Sequence, residues 1–270
     1  MSWLQDMFHV EKPIIALLHL RAMPGDPLFK EGTTMADVIN QAKDELLTLQ
    51  TGGVDGILFA NEFSLPYEKN VSYATIASMA RIIGELKHEL QIPFGVNVVS
   101  NPAASIELAA ATDASFVRGT FTGAYIGEGG IIDTDVAATL RRKKALGLNH
   151  LKLLFKVNPE SDTYMAERPI KHITKSVIFH CFPDALCVSG ASAGGVTDSN
   201  MIREIRESAG QTPLLCNTGC TAENIAEKLA LCDGACVGTW LKKDGCFENA
   251  ADLNRVKHFM KQVTEYRAAL

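Results

Sequence analysis

The sequence predicts an α/β protein of a single domain, a (β/α)8 TIM barrel over residues 1–270. Eight short apolar runs alternate with eight helix-length segments, a pattern that favours a parallel sheet with helical crossovers. The length agrees, because eight βα units of about 30 residues need about 240 residues. Hydrophobic residues make up 47% of the chain and charged residues 21%, which leaves ample apolar surface for one large core.

The predicted strands are continuous apolar runs, as expected for strands that are buried on both faces. They cover residues 14–20, 56–60, 94–99, 116–118, 151–157, 185–189, 213–217 and 234–237. Helical segments follow them at residues 34–49, 73–90, 103–111, 133–146, 168–182, 198–208, 222–231 and 249–267. Glycine and proline mark some boundaries: Gly52 and Gly53 end the first helix, and Pro93 closes the second.

An open, doubly wound sheet is the alternative architecture. It would carry a GxGxxG fingerprint after the first strand, where this chain has RAMPGDP at residues 21–27. That difference favours the barrel. The sequence also has no Gly-Lys pair, and therefore no Walker A loop for hydrolysis of nucleoside triphosphates.

Charge and cysteine content narrow the function classes. Acidic residues outnumber basic ones by 31 to 26, giving a net charge of −5, so no nucleic-acid partner is expected. No apolar stretch reaches 18 residues and the first 12 residues lack a basic segment, so we expect neither a membrane span nor a secretory signal. Seven cysteines without a CxxC pair indicate a cytoplasmic protein with reduced thiols. No cofactor or metal site is predicted, although a divalent metal is left open.

Polar residues or glycine stand at the carboxyl end of all eight predicted strands. Barrel active sites are built at these ends, and the pattern therefore predicts a site there. The catalytic candidates are His19, Glu62 and Lys156. The candidates for substrate binding are Arg21, Asp26, Asn61, Asn97, Arg118 and Lys152.

The alternation of residues 151–157 places Lys152 and Lys156 inside the barrel. The apolar residues at 151, 153, 155 and 157 share the other face, which should meet the helices. An unpaired buried ammonium is costly. One interpretation is that both lysines only pair with carboxylates there. The other is that Lys156, near Arg118, binds an anion or has a lowered pKa suited to proton abstraction or imine formation.

Three consecutive strand-end segments, at residues 189–195, 217–219 and 237–239, contain glycine. Glycine lets backbone amides approach an anion closely, and barrels often bind phosphate on the loops after strands seven and eight. The phosphate-binding candidates are Ser189, Gly190, Gly194, Asn217, Gly219, Gly238 and Thr239. The alternative is that these glycines only make tight turns.

Three further loops each allow two interpretations. Residues 119–130 hold five glycines and are long for a βα connection, which suits a mobile lid or an irregular loop. Asp26 supplies a carboxylate at the barrel mouth or makes an Asx-type turn. Residues 242–245 (KKDG) form a solvated turn or bring a lysine over the phosphate.

Several motifs resemble the BtpA/SgcQ family, and most closely its enteric SgcQ-type members. They are HLRAMPGDP (19–27), NEFSLPY (61–67), FGVNV (94–98), FTGAY (121–125), PDALCVSG (183–190), NTG (217–219) and KKDG (242–245). The resemblance implies a barrel of the ribulose-phosphate-binding superfamily. Relatives are associated with photosystem I accumulation in photosynthetic bacteria and with sugar uptake and metabolism genes in enteric bacteria.

Residues that match the family pattern are His19, Arg21, Asp26, Asn61, Glu62, Asn97 and Asn217. One departure is Gly119 after Arg118, where other members often have a larger residue. The resemblance brings no established reaction with it.

We expect an enzyme that acts on a small phosphorylated sugar or related metabolite by isomerase, epimerase or aldolase-type chemistry. Glu62 or His19 would move the proton, next to a cationic site that stabilises the enolate. The alternative is a non-catalytic assembly or ligand-sensing protein on the same barrel. A metal-dependent enzyme using His19, Glu62 and Asp26 is a third hypothesis, without an HxH or HxxxH pair to support it. The expected partner is a small phosphorylated ligand, and a homo-oligomer is left open.

Overall fold

The computed structural model describes residues 2–270 and contains a closed barrel of eight parallel strands. The strands in chain order are β1 (Ile14–His19), β2 (Gly56–Ala60), β3 (Phe94–Asn97), β4 (Phe116–Gly119), β5 (Ala124–Gly127), β6 (Gly130–Asp133), β7 (Lys152–Lys156), β8 (Thr163–Tyr164), β9 (Ala185–Val188), β10 (Leu214–Cys216) and β11 (Gly234–Val237). The order around the barrel is β1-β11-β10-β9-β7-β4-β3-β2. The predicted barrel is thereby confirmed, and its eight strands overlap the eight predicted runs.

Helices cover the barrel, α1 at its amino-terminal end and the others in an outer layer. They are α1 (Trp3–Phe8), α2 (Met35–Thr51), α3 (Tyr73–Leu86), α4 (Pro102–Thr112), α5 (Val136–Ala145), α6 (Ile170–Cys181), α7 (Ser199–Ala209), α8 (Ile225–Leu231) and α9 (Leu253–Arg267). Side-chain caps define where several begin: the Thr34 hydroxyl accepts from the Asp37 amide at the start of α2, and the Asp252 carboxylate accepts from the Arg255 amide at the start of α9. None of the helices within residues 2–270 combines the length and hydropathy of a membrane span.

Two apolar layers follow from the strand alternation. Leu153 and Phe155 of β7 point outward into the large core beneath the helices, whereas Leu154 points into the barrel. The barrel interior needs a small residue beside a large one. A Cβ on Gly95 would lie 2.3 Å from the ring of Phe116, so the glycine leaves space for that ring.

Helix α1 closes the amino-terminal end of the barrel. Its Leu4 and Phe8 are buried with the inward residues of the strands, and the Phe8 ring lies 5.8 Å from the Phe116 ring in an edge-on arrangement. With this end filled by apolar side chains, the opposite end is left for chemistry.

The glycine-rich segment at 119–130 differs from the sequence expectation. Strands β5 and β6 pair as an antiparallel hairpin, and β8 joins them to make a second, three-stranded sheet. The hairpin is anchored by Tyr125, which is buried and packs edge-on against Tyr164 at 4.6 Å. The segment is therefore a regular hairpin and not an irregular loop, because backbone pairing and an aromatic contact hold it. Movement of this hairpin as a lid stays a prediction.

Two lysines also differ from one of the roles expected of them: Lys152 from substrate binding, and Lys242 from a solvated turn. Lys152 is the first residue of β7 and lies in register with Phe116, at the amino-terminal end. It pairs with Asp184 at 3.0 Å and lies over the Trp3 ring. Lys242 is buried rather than solvated: its ammonium donates to the Asn249 carbonyl at 2.9 Å and lies 3.7 Å from Glu45.

Candidate functional site

The carboxyl ends of the strands surround a cavity of about 1120 Å³. Each of the eight barrel strands, or the segment that follows it, contributes to the cavity lining. Arg118, Lys156 and Thr239 therefore share one cavity, although they come from three separate strands. This convergence is what the polar strand ends predicted.

Arg118 lies at the base of the cavity and is almost fully buried. One terminal nitrogen, Nη1, donates to Asn217 Oδ1 at 2.9 Å, and Nη2 lies 3.5 Å from Glu62 Oε1. Asn97, with its amide oriented by these neighbours, accepts from Nη2 at 3.1 Å and donates to the Arg118 carbonyl at 3.0 Å. A buried guanidinium is tolerated because carboxylate and amide oxygens surround it.

Lys156 and Glu160 form the second charged element. The Lys156 ammonium donates to Glu160 Oε2 at 2.8 Å, and Glu160 Oε1 accepts from Asn217 Nδ2 at 2.9 Å. Burial would raise the pKa of the Glu160 carboxyl, but the charges of Lys156 and Arg118 lower it to about 2. Asn217 thus connects the Arg118 cluster to the Lys156–Glu160 pair.

His19 is a buried imidazole without a hydrogen-bond partner on either ring nitrogen among the described residues. Burial lowers its pKa to about 4, with Lys242 and Arg118 acting in the same direction and Glu62 opposing them. Its ring lies 5.2 Å from the ring of Phe247, which also lines the cavity. At neutral pH the ring is uncharged, so one nitrogen can donate a proton and the other can accept one.

Glu62 lines the cavity between Tyr67 and Arg118. The Tyr67 hydroxyl donates to Glu62 Oε2 at 2.9 Å, and Arg118 approaches the other oxygen. Burial first and the Glu62 charge second raise the pKa of Tyr67, so the phenol stays protonated. The carboxylate is held by one hydrogen bond and one ion pair and keeps lone pairs for a ligand.

The glycine-containing loops after β9, β10 and β11 form one side of the cavity, here called the glycine rim. Five of the seven predicted phosphate-binding residues line it: Gly194, Asn217, Gly219, Gly238 and Thr239. Ser189 and Gly190 stand behind it. The Ser189 hydroxyl accepts from Asn217 Nδ2 at 3.0 Å, and the Gly190 amide donates to Thr218 Oγ1 at 2.6 Å.

Close backbone approach explains one of these glycines. Gly219 has φ of +68°, and a Cβ there would lie 2.4 Å from the Gly195 carbonyl oxygen. Only glycine lets the β10 loop pack against the β9 loop in this conformation.

Four predicted substrate-binding residues support the cavity from outside its lining. Asp26 Oδ2 accepts from the Met23 amide and the Ser64 hydroxyl, both at 2.7 Å. Asp26 therefore stabilises a turn, which was the second of its two expected roles. Asn61 Oδ1 accepts from the Val99 amide at 2.7 Å. The remaining two are Asn97, which orients Arg118, and Arg21, whose guanidinium stacks 4.3 Å from the Phe63 ring. These side chains hold loops and neighbours in place.

The placement of Lys152 corrects its expected substrate-binding role. The alternation gave the correct face, since the side chain belongs to the inward set, but the residue begins β7 instead of ending it. Its partner Asp184 and the Trp3 ring both lie at the end of the barrel that α1 closes.

Sequence reasoning missed Tyr67 and Glu160. Both follow predicted strand-end residues by four or five positions, Glu160 after Lys156 and Tyr67 after Glu62. An acidic residue four positions after a buried lysine was the available signal. The Tyr67 contact needs the turn at residues 61–67, which no simple period describes.

Fold and site together define a barrel protein with a charged cavity at the carboxyl ends of its strands. The BtpA family model matches residues 10–265. The chain therefore belongs to the BtpA family, as the motifs implied.

Two relatives extend over nearly the whole chain. The putative sgc region protein SgcQ of Escherichia coli (strain K12) is 48% identical over 267 residues, which cover 99% of this chain and 100% of SgcQ. The photosystem I biogenesis protein BtpA of Synechocystis sp. is 26% identical over 261 residues, covering 96% of this chain and 90% of that protein.

Solved structures show the same fold at low identity. The (S)-3-O-geranylgeranylglyceryl phosphate synthase from Thermoplasma acidophilum, in complex with sn-glycerol-1-phosphate, aligns with a TM-score of 0.62 at 12% identity, covering 98% of this chain and 99% of that chain. Phosphoribosyl anthranilate isomerase from Thermococcus kodakaraensis aligns with a TM-score of 0.55 at 16% identity, covering 93% and 98%. This likeness concerns the fold alone.

Proposed function

We propose that this protein is an enzyme that binds a small phosphorylated sugar or related metabolite and moves a proton on it, as isomerases, epimerases and aldolases do. The observation that carries this proposal is the uncharged, unpartnered His19 in one cavity with a glycine rim and a buried arginine. An isolated acid–base group beside fixed positive charge is suited to forming and stabilising an enolate.

The roles follow from position. The phosphate group would lie on the glycine rim, against Gly194, Gly219 and Thr239, where backbone amides can approach an anion. Arg118 would stabilise negative charge that develops on the reacting oxygen. His19 or Glu62 would take the proton, since both line the cavity near Arg118.

The Lys156–Glu160 pair argues against imine chemistry. The amine that forms an imine must attack a carbonyl with a free lone pair, whereas the Lys156 nitrogen donates to Glu160 Oε2 at 2.8 Å. We therefore assign Lys156 an electrostatic role. Borohydride trapping with candidate keto and aldehyde sugar phosphates should leave Lys156 unmodified; an adduct on Lys156 would restore the imine mechanism.

The test of phosphate binding uses Gly194, which has φ of +71° and where a Cβ would meet only Thr239 Oγ1, at an ordinary contact distance of 3.8 Å. Asp and Asn both tolerate this conformation and have the same shape, so Gly194→Asp adds only a charge relative to Gly194→Asn. Repulsion between unit charges about 4 Å apart is about 1–4 kcal/mol. Inorganic phosphate and sugar phosphates should raise the melting temperature of the wild type and of Gly194→Asn, and not that of Gly194→Asp.

An unchanged melting temperature across a broad panel of sugar phosphates would refute the proposal. Equal shifts in the two Gly194 variants would remove the glycine rim as the binding place.

A non-catalytic role is the second candidate, because one relative carries the name photosystem I biogenesis protein. The variants His19→Gln and Glu62→Gln distinguish the enzymatic function from the non-catalytic one. Under the enzymatic proposal each variant still binds phosphate but loses turnover of the identified substrate. Under the alternative, phosphate binding occurs with no turnover in any form of the protein.

The seven free cysteines, six of them buried, further support a reducing, cytoplasmic location.

A further inference from the structure

The cavity has a second side that a small sugar phosphate does not use. Across the barrel from the glycine rim, the loops after β2, β3 and β4 contribute a set of apolar side chains, here called the apolar rim. Its members are Leu65, Pro66, Ala103, Ile131, Ile132 and Ala138.

The strand order makes the two rims opposite. Strands β9, β10 and β11 are neighbours in the barrel, and so are β2, β3 and β4; β1 separates the two groups on one side and β7 on the other. His19 ends β1 and Lys156 ends β7. His19, one of the two proposed bases, and the Lys156 ammonium therefore lie between the glycine rim and the apolar rim.

The size of the cavity agrees with a ligand that reaches both rims. Its volume of about 1120 Å³ exceeds the usual range for small-molecule sites, about 300–1,000 Å³. Exposed apolar side chains gain free energy when a ligand covers them, in proportion to the apolar area removed from water. Ile131 is 47% exposed and faces this cavity, so it offers such area.

The charged side chains of this side are mostly anionic, since Glu128, Asp133 and Asp135 line the cavity there against Lys69 and Arg142. Arg142 is engaged by both oxygens of Glu107, at 2.6 and 3.1 Å. Glu128 and Asp133 of the hairpin are exposed carboxylates, which repel an anion. What remains is a binding surface for an uncharged, apolar group.

Building on the proposed function, we propose that the substrate class is a phosphorylated metabolite with an apolar substituent, aryl or alkyl, at the end distant from its phosphate. The phosphate lies on the glycine rim, the reacting carbons lie over Arg118, and the substituent lies on the apolar rim. Ile131 of the hairpin is then a specificity-determining residue.

The experiment compares three probes by calorimetry: glucose 6-phosphate, p-nitrophenyl glucoside 6-phosphate and unphosphorylated p-nitrophenyl glucoside. Burial of an aromatic ring should make the arylated phosphate bind at least about tenfold more tightly than glucose 6-phosphate. The unphosphorylated glucoside should bind more weakly than the arylated phosphate.

Two variants assign the gain to the apolar rim. Ile131→Ser should abolish most of the tenfold difference while leaving the affinity for glucose 6-phosphate unchanged. Ile126→Ser is the matched control: Ile126 pairs with Ile131 across the hairpin and is 51% exposed, but it lies outside the cavity lining. It should retain the full difference.

The outcomes distinguish the two proposals. If glucose 6-phosphate binds and the aryl group adds nothing, or if both isoleucine variants lose the gain equally, the inference is overturned and the proposed function stands. If neither phosphorylated probe binds, the inference is overturned, and the proposed function fails with it only if the broad panel of sugar phosphates also leaves the melting temperature unchanged. If the unphosphorylated glucoside binds as tightly as its phosphate in an Ile131-dependent manner, the apolar rim is retained and phosphate binding is refuted.

Discussion

Glu160→Gln tests the electrostatic organisation of the site most directly. The substitution keeps the shape of the side chain and removes its charge, which leaves the Lys156 ammonium without the carboxylate that stands 2.8 Å away in the wild type. Both side chains are largely buried, with 14% and 13% exposure for Lys156 and Glu160. Solvent therefore replaces the lost interaction only in part.

The magnitude comes from the pKa of Glu160, which lies at about 2 in the folded protein against an ordinary value of 4.5. A difference of this size corresponds to about 3 kcal/mol of stability at neutral pH. For a chain of this length that is a decrease of about 5 °C in melting temperature. Because the folded pKa is lowered, this stability is present above pH 4.5 and is lost as the pH falls towards 2.

The assay is urea unfolding of the wild type and of Glu160→Gln at pH 7 and at intervals down to pH 3. The difference between the two proteins should be about 3 kcal/mol at pH 7 and should shrink steadily below pH 5. Glu207→Gln serves as the control, since it breaks an exposed pair with Lys171 at a similar distance, 3.0 Å. An exposed pair contributes about 0–1 kcal/mol.

Two results would refute this reasoning. One is a stability loss for Glu160→Gln no larger than that for Glu207→Gln. The other is a difference between wild type and Glu160→Gln that does not change with pH.

Two further predictions concern His19 and the glycine beside it. The His19 ring should titrate near pH 4 in NMR spectra, where its signal is assigned by its absence in His19→Gln. Because the folded pKa is lowered, the unfolded state binds the proton first, and stability falls as the pH falls below about 6.5. A titration midpoint near 6.5 would contradict the burial argument. Gly238→Ala would place a Cβ 2.8 Å from His19 Nε2 and 3.3 Å from Leu17 Cβ, so it should lower stability by about 1–3 kcal/mol in denaturant unfolding and shift the His19 signals. Gly84→Ala, on the exposed side of α3 with open space around it, should instead raise stability by up to about 1 kcal/mol, and an equal loss in both variants would argue against the contact with His19.

The architecture was accessible from sequence because it depends on local properties repeated eight times. Continuous apolar runs specify strands that are buried on both faces, and the polar residue that ends each run marks the carboxyl end. Three residues illustrate this: His19 ends β1, Asn217 directly follows β10, and Arg118 is the last residue but one of β4. Parallel strands bring such ends to one side of the barrel regardless of their distance in the chain.

The position of a side chain along the barrel axis could not be predicted from the sequence. The period of two gives the face on which a side chain lies, and it gives Lys152 and Lys156 the same face. Only the pairing of β7 with β4, which aligns Lys152 with Phe116, shows that Lys152 lies at the closed end. The register of a strand depends on its contacts with neighbouring strands, so the alternation of residues within that strand does not determine it.

The partners of charged groups were likewise decided by tertiary structure. Glu160, Tyr67 and Glu45 lie in a loop, a turn and a helix. Apart from the four-residue spacing between Lys156 and Glu160, nothing in the neighbouring sequence distinguishes them from solvated residues. Each acquires its role because the fold buries a charge or a carboxylate beside it: Lys156 for Glu160, Glu62 for Tyr67 and Lys242 for Glu45. Burial makes an unpaired charge costly, and burial is a property of the folded chain as a whole.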